Sequence, residues 1–361
     1  MSIQIQRKKT RQVSVGPVKI GGNAPVTVQS MTNTFTHDIP ATVKLIHRLE
    51  AAGCEIIRVA VPDMPAAEAI RSIKKQIHIP LIADIHFDYR LALAALKAGA
   101  DGLRINPGNI GSNKKVKAVA DQARDCGVPI RVGVNSGSLE KDLRKKYGIT
   151  PEAMVQSALR HVELLRSFDF HDIKISIKAS DVLTTLEAYR RLSSKTDLPL
   201  HVGVTEAGTL YSGTVKSAIG IGMLLYEGIG DTLRVSLTRD PVEEVRVGYE
   251  ILKALNIRQR GPEIISCPTC GRCQVNLFSI VDQIESVLMN KTTPIKIAIM
   301  GCVVNGPGEA QEADIGIAGG KGQGVLFKKG KVVKKVKEQD MVKVLLEEVA
   351  KIESDIVCSK E

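Results

Sequence analysis

The 361-residue chain contains no tryptophan, and six phenylalanines with six tyrosines bring its aromatic content to only 3%. A core with so few rings has to be filled by Ile, Val, Leu and Ala. That stock suits buried parallel strands under helices better than an aromatic-rich sandwich. No apolar run is long enough to span a bilayer, which argues against a membrane protein. The amino terminus, Met-Ser-Ile-Gln-Ile-Gln-Arg-Lys-Lys, lacks the apolar stretch of a secretory signal, so a cytoplasmic location is expected. Seven cysteines in such a chain point to thiols or metal ligands rather than to a disulfide scaffold.

Charge is what the chain has in excess. Fifty Lys and Arg against 39 Asp and Glu leave +11, a surplus that favours an anionic partner such as a nucleic acid, a phosphorylated metabolite or a membrane surface. Beyond position 261 there are 13 basic and 13 acidic residues, so the whole surplus belongs to residues 1–261. The neutral cysteine-bearing part nearly lacks aromatics for base stacking, which argues against a zinc-ribbon nucleic-acid binder.

Short β-branched runs recur at 26–32, 56–61, 81–86, 102–107, 129–135, 172–180, 200–208 and 231–240. Amphipathic stretches with apolar residues three and four apart lie between and after them, at 42–53, 65–75, 89–98, 113–126, 151–168, 181–196, 213–227 and 242–256. Asp181, Pro151 and Pro241 are helix-start signals. Strand alternating with helix eight times predicts a (β/α)8 TIM barrel over residues 1–258, with a doubly wound sheet as the alternative. After the Gly261-Pro262 breaker, residues 262–361 read as a smaller α+β domain. It should have a helix at 274–289, strands at 296–301, 314–318 and 324–328, and a final helix at 339–354.

Four of the barrel strands share one tetrad: Ile57-Arg58-Val59-Ala60, Leu103-Arg104-Ile105-Asn106, Ile130-Arg131-Val132-Gly133 and Leu233-Arg234-Val235-Ser236. Period-2 geometry puts each arginine and the small or polar residue after it on one face, with the aliphatic neighbours on the other. The aliphatic face meets the helices, so the arginines point into the barrel, joined by Lys178. One or two such arginines could simply bridge strands to loop carboxylates. Four in one pattern, with only Asp84, His86 and Glu206 as polar company at strand ends, call for a ligand carrying several negative charges. Two phosphates would meet that need, because Arg binds them bidentately. Asn33, Asn106 and Asn135 could add neutral hydrogen bonds. Glu206 is either a counter-ion or a general acid whose pKa is set by a bound anion.

Cys267-Pro268-Thr269-Cys270-Gly271-Arg272-Cys273 is followed at a distance by Gly301-Cys302 and by Asn305-Gly306-Pro307-Gly308-Glu309. Spacing alone allows a four-cysteine zinc site or a [4Fe–4S] cluster with a displaceable carboxylate. Cys54 and Cys126 fall at helix ends in the barrel, where burial is expected.

Together these residues resemble the bacterial 4-hydroxy-3-methylbut-2-enyl diphosphate synthases, iron–sulfur reductases of the non-mevalonate isoprenoid pathway. The resemblance runs through 28–34, Ala83-Asp84-Ile85-His86-Phe87, 103–109, 133–139, Lys178-Ala179-Ser180 and 204–208, and so covers nearly the whole chain. It implies a (β/α)8 barrel followed by a [4Fe–4S] domain, with Cys267, Cys270 and Cys302 as ligands and Glu309 as the fourth. The implied substrate is 2-C-methyl-D-erythritol 2,4-cyclodiphosphate, opened and dehydrated with two electrons. Arg58, Arg104, Arg131, Asn135, Lys178, Arg234 and Ser236 would hold its phosphates. Glu206 would act in protonation, and Glu309 would yield its iron to a substrate oxygen. Flavodoxin or ferredoxin would deliver electrons. The assembly implied is a head-to-tail homodimer in which one subunit's cluster domain covers the other's barrel mouth. The short 256–267 connection places the chain with the two-domain type, and Cys273 is an additional thiol beside the ligand loop. A zinc-containing, non-redox barrel enzyme acting on a phosphorylated metabolite is the alternative. The basic Arg7-Lys8-Lys9 and Arg11 are either a solvated tail or a docking face for an acidic electron donor.

Overall fold

The computed structural model describes residues 4–289, 291–302 and 310–358, which form two compact units, 1–258 and 259–361. In the first unit a hairpin, β1 (Val13–Val15) and β2 (Val18–Ile20), precedes eight parallel strands. These are β3 (Thr27–Met31), β4 (Ile56–Ala60), β5 (Leu81–Asp84), β6 (Gly102–Ile105), β7 (Ile130–Asn135), β8 (Ile173–Lys178), β9 (His201–Val202) and β10 (Thr232–Leu233). Their order is β8-β7-β6-β5-β4-β3-β10-β9, and an Ile175–Leu200 bridge closes the ring between its two ends. A main helix follows each strand, the first being Ile39–Ala52 and the last Pro241–Ala254. Their starts are written in the sequence. Asp38, Asp63, Asp88, Thr150, Asp181 and Asp240 each accept a hydrogen bond from a first-turn N–H.

The alternation along each strand divides the barrel as expected. Ile130, Val132 and Val134 are fully buried under the helices, and Arg131 and Gly133 occupy the opposite face. Val13, Val15 and Ile20 of the hairpin cluster with Ile56 and Ile82 as an apolar plug, which leaves polar residues for the rest of the interior. β9 and β10 are much shorter than the runs at 200–208 and 231–240. A side chain at Gly203 would place its Cβ 2.4 Å from the Arg234 carbonyl and 2.6 Å from Lys178 Nζ. The chain past Val202 therefore leaves the ladder to admit a neighbouring backbone and a lysine.

The second unit is a five-stranded sheet of β11 (Glu263–Ser266), β12 (Lys296–Met300), β13 (Ile315–Ala318), β14 (Gln323–Lys328) and β15 (Lys331–Lys337), in that order. The first three strands are parallel and the last two antiparallel. Helices Leu277–Leu288 and Met341–Cys358 supply Ile280, Ile284, Leu345 and Val349 to a core with Ile297, Ile299, Ile315, Ile317 and Leu326. The final helix runs further than the sequence pattern suggests. β15 is absent from the sequence reading because its valines, in Lys-Val-Val-Lys-Lys-Val-Lys, do not alternate with the lysines. Only Val336 is buried.

Candidate active site and cluster-binding cysteines

Strand register gathers the charged residues of the barrel. Asp84 of β5 lies beside Arg104 of β6, Arg104 beside Arg131 of β7, and Arg131 beside Lys174 of β8. One lateral row thus carries a single carboxylate and three cations into the barrel. Asp84 bridges two arginines, at 3.4 Å from Arg58 and 3.1 Å from Arg104. Burial alone would raise its pKa, but Arg58, Arg104 and Arg131 outweigh that and hold it below the usual carboxylate range. Arg234 pairs at 3.3 Å with Glu244, which also accepts hydrogen bonds from Ser30 Oγ and the Leu237 N–H. Three of the five expected cations therefore have a carboxylate partner.

Arg131 and Lys178 do not. Arg131 is 1% exposed, and its Nε and Nη1 have no hydrogen-bond partner. Burial first, then Arg58 and Arg104, drives its pKa well below the ordinary guanidinium value. Lys178 is buried against Gly203, and burial followed by repulsion from Arg131 and Arg234 lowers its pKa strongly. Burial also lowers Arg58, to about 10. Such buried, uncompensated cations are costly unless an anion completes them. Arg104 reaches its place across Gly133, where a Cβ would stand 2.6 Å from its Nε. Glycine at that tetrad position is a passage for the neighbouring arginine.

The remaining predicted residues sit at or just beyond strand ends. Asn135 is next to Lys178 in strand register and half-buried, as is Ser236 two residues beyond Arg234. His86 is exposed, with Nε2 3.8 Å from Asp84. Glu206 is exposed after β9 and has φ 51, the left-handed region that non-glycine residues seldom occupy. Sequence reasoning missed Glu244, Lys174 and His201. Lys174 was within reach, because it precedes Lys178 by four in one strand and so shares its face. Its Nζ and the His201 Nε2 are buried without partners, and burial lowers both pKa values strongly. Glu244 carried no signal, since only the packing of its helix brings it to Arg234.

In the second unit, β11 and β12 are parallel neighbours, and Cys267 and Cys302 follow their ends. The Gly301 N–H donates to Cys267 Sγ at 3.2 Å. Cys270 is exposed on the intervening turn, and backbone and side-chain hydrogen bonds from Arg272 lower its thiol pKa. N–H groups aimed at sulfur and a thiol biased toward thiolate suit a cluster held by cysteines. Cys273 Sγ donates instead to the Val275 carbonyl at 3.3 Å. Glu309 lies outside the described residues. A zinc ion, with Zn–S of about 2.3 Å, needs thiolates about 3.8 Å apart. Among the described residues no three of these sulfurs come within 4.8 Å of one another, and the only donor trio that does is His47, Glu50 and His78 on the barrel. In that trio both imidazoles hydrogen-bond Glu50 and join the Ile39–Ala52 helix to the chain before β5.

Comparison with known proteins agrees with both halves. The GcpE TIM-barrel domain matches residues 10–249, and the GcpE protein C-terminal domain matches residues 263–351. The chain belongs to the GcpE family. A 4-hydroxy-3-methylbut-2-en-1-yl diphosphate synthase (flavodoxin) of Thermodesulfovibrio yellowstonii is 62% identical over 348 residues, covering 96% of this chain and 100% of that protein. The protein of the same name from Geobacter sulfurreducens is 61% identical, covering 96% and 98%. A 7,8-dihydropteroate synthase structure from Vibrio fischeri superposes with a TM-score of 0.50 at 13% identity, over 68% of this chain and 98% of that one. That likeness concerns the barrel fold alone.

Two expectations for this GcpE chain need correction. Cys54 is buried, but Cys126 is exposed, because its helix ends at Asp125 on the barrel's outer surface. Lys9 and Arg11 are exposed, but the other two amino-terminal cations are neither a solvated tail nor a free docking face. Arg7 pairs with Asp231 at 3.2 Å, and Lys8 donates to the carbonyls of Ser193 and Thr196. They fasten the segment before β1 to the barrel.

Proposed function

We propose that this chain reduces 2-C-methyl-D-erythritol 2,4-cyclodiphosphate to 4-hydroxy-3-methylbut-2-enyl diphosphate, taking up two electrons and two protons and releasing one water. The observation that carries this reading is the buried, incompletely neutralised cation row in a chain that also bears two thiols just past adjacent strand ends and a third on the turn after the first of them. In it, Arg58, Arg104, Arg131, Lys178 and Arg234 hold the two phosphates, and Asn135 and Ser236 supply neutral hydrogen bonds. Arg131 and Lys178 lack carboxylate partners, so they gain most when a phosphate arrives. Asp84 and Glu244 orient the other three arginines and keep the substrate-free barrel from excessive repulsion. Glu206, exposed and in a left-handed conformation, is the group we assign to protonation near the reacting carbons.

Cys267, Cys270 and Cys302 hold a [4Fe–4S] cluster, with Glu309 as the fourth ligand. When bound, that cluster supplies a Lewis-acidic iron and single electrons. The chain's own part is to fix the diphosphate end so that the hydroxyl-bearing carbons are presented in one orientation. Flavodoxin, present in the relatives' names, is the electron donor of this reading. A homodimer with the cluster domain of one subunit over the barrel of the other is supported by exposed apolar residues that follow the strand carboxyl ends, Phe35 at 77% exposure and Phe87 at 71% in loops and Tyr211 at 86% in the first turn of a helix. No described helix is long and apolar enough to cross a membrane. We place the activity in the cytoplasm. The test is to purify the protein without oxygen, record its visible absorption and add the cyclodiphosphate with dithionite. Product formation by a brown protein is expected, and a colourless, inactive zinc protein would refute the proposal.

A further inference from the structure

The second unit is neutral by count but not in space. Eight of the 13 basic residues beyond position 261 lie within 321–343, against two acidic ones, Glu338 and Asp340. The structure puts most of that charge on one edge of the sheet. β15 is the terminal strand, paired only with β14, and its Lys331, Lys334, Lys335 and Lys337 are all exposed. Val332 and Val333 are exposed beside them, at 57% and 54%. A single lysine is enough to discourage edge-to-edge pairing. Four on one strand, with Lys328 at the end of β14, Lys329 in the turn before β15 and Lys321 in the turn before β14, make a concentrated positive field, offset only in part by Glu338 and Asp340 after Lys337.

Register decides which end of this edge matters. β12 ends at Met300, opposite Ala318 of β13. Ala318 lies opposite Val325 of β14, and Val325 opposite Lys335 of β15. Gln323, at the start of β14, lies opposite Lys337. Lys335 and Lys337 therefore stand at the same end of the sheet as Cys267 and Cys302, and so does Lys321, in the turn between β13 and β14. Three strand spacings separate β12 from β15, about 14 Å at about 4.8 Å each. Among the described residues Lys321, Lys335 and Lys337 have no ion-pair partner, whereas Lys328, at the other end, is bound to Glu348 at 2.8 Å.

We infer that the Lys321–Lys335–Lys337 corner is where an acidic, flavin-bearing electron carrier docks. This inference rests on the reductase reading above and names the face through which its electrons enter. A negatively charged carrier is drawn to this corner by long-range attraction and is held within one domain's width of the thiols. Arg7 and Lys8 are not free to do the same, because both are already bound.

The test compares wild type with a Lys321→Glu/Lys335→Glu/Lys337→Glu variant, both anaerobically purified and full-length. A Lys329→Glu/Lys331→Glu variant serves as the far-end control. Oxidised flavodoxin is titrated calorimetrically at low and high salt, and turnover is measured with reduced flavodoxin and, separately, with dithionite. Steering of this kind predicts at least a roughly tenfold weaker flavodoxin affinity and higher flavodoxin KM for the triple variant at low salt, converging on wild type as salt rises. Dithionite-driven turnover and cluster absorption should be unchanged, and the far-end variant should shift by less than about threefold. Unchanged flavodoxin binding in the triple variant would overturn the inference. So would equal losses in both variants, which would mean charge without place. An altered sedimentation coefficient would also overturn it, because the edge would then be a contact between copies of the chain. If wild type fails to turn over with dithionite, the proposed reaction is wrong, and the binding comparison still decides the docking face.

Discussion

Replacing Arg131 by methionine should make the substrate-free protein more stable and the enzyme useless. Most substitutions of a fully buried large side chain destabilise, so the sign is diagnostic. Arg131 is 1% exposed, faces Arg58, Arg104 and Lys174, and leaves Nε and Nη1 without partners. Its desolvation is therefore not offset by any ion pair of its own. Exchanging poorly compensated buried charge for an apolar side chain of similar length gains about 1–4 kcal/mol where it has been measured in other proteins. For a barrel of this size each kcal/mol moves the melting temperature by about 2–4 °C, so Arg131→Met should melt roughly 2–16 °C above wild type. The same change removes a bidentate phosphate contact. At about 1.5–3 kcal/mol for each hydrogen bond to a charged group, the KM for the cyclodiphosphate should rise at least about 100-fold. Differential scanning fluorimetry under anaerobic conditions, without and with inorganic pyrophosphate, reads both effects. Pyrophosphate should raise the melting temperature of wild type and leave the variant nearly unmoved. A variant that melts below wild type would refute the reasoning, because it would mean that Arg131 is a structural residue whose charge is already balanced.

Burial lowers the folded-state pKa of Lys174 and Lys178, so the unfolded chain binds more protons and stability should rise with pH up to the ordinary lysine value of about 10.4. A pH series of melting temperatures checks this, and Lys174→Met should flatten the slope. Gly133→Ala puts a Cβ 2.6 Å from Arg104 Nε and should displace that guanidinium from Asp84. The expected result is a KM for the cyclodiphosphate raised by roughly tenfold or more with the fold intact, about the 1.4 kcal/mol of one weakened charged contact. Cys54 is fully buried with its thiol pushed up to about 12, whereas Cys270 is exposed with its thiol pKa lowered. Brief alkylation of cluster-free protein at neutral pH should therefore label Cys270 and spare Cys54, as read by peptide mass spectrometry.

The cation cluster was legible in the sequence because side chains along a strand alternate between two faces, and Ile-Arg-Val patterns assign their arginines to one face without further information. The same rule extends to Lys174, which sits four residues before Lys178. The helix starts were legible for a similar reason, since an aspartate at the N-cap acts on the N–H groups two or three residues away. These are local relations, carried by neighbours in the chain. The long-range pairings were not legible. Arg58 and Arg104 share Asp84, and Arg234 meets Glu244, only because strand register and helix packing bring separate segments together. Glu206 could be read as a carboxylate at a strand end, but its left-handed backbone could not.

Net charge shows the same division most clearly. By itself the sequence determined that the surplus of +11 belongs to residues 1–261 and that the remainder is balanced. Counting cannot say where balanced charges point. The run 321–343 is rich in lysine by sequence, but only the sheet order makes β15 an edge and turns its carboxyl end toward the cysteines. The physical reason is that an electrostatic field depends on the positions of charges as well as on their sum, and those positions are set by packing.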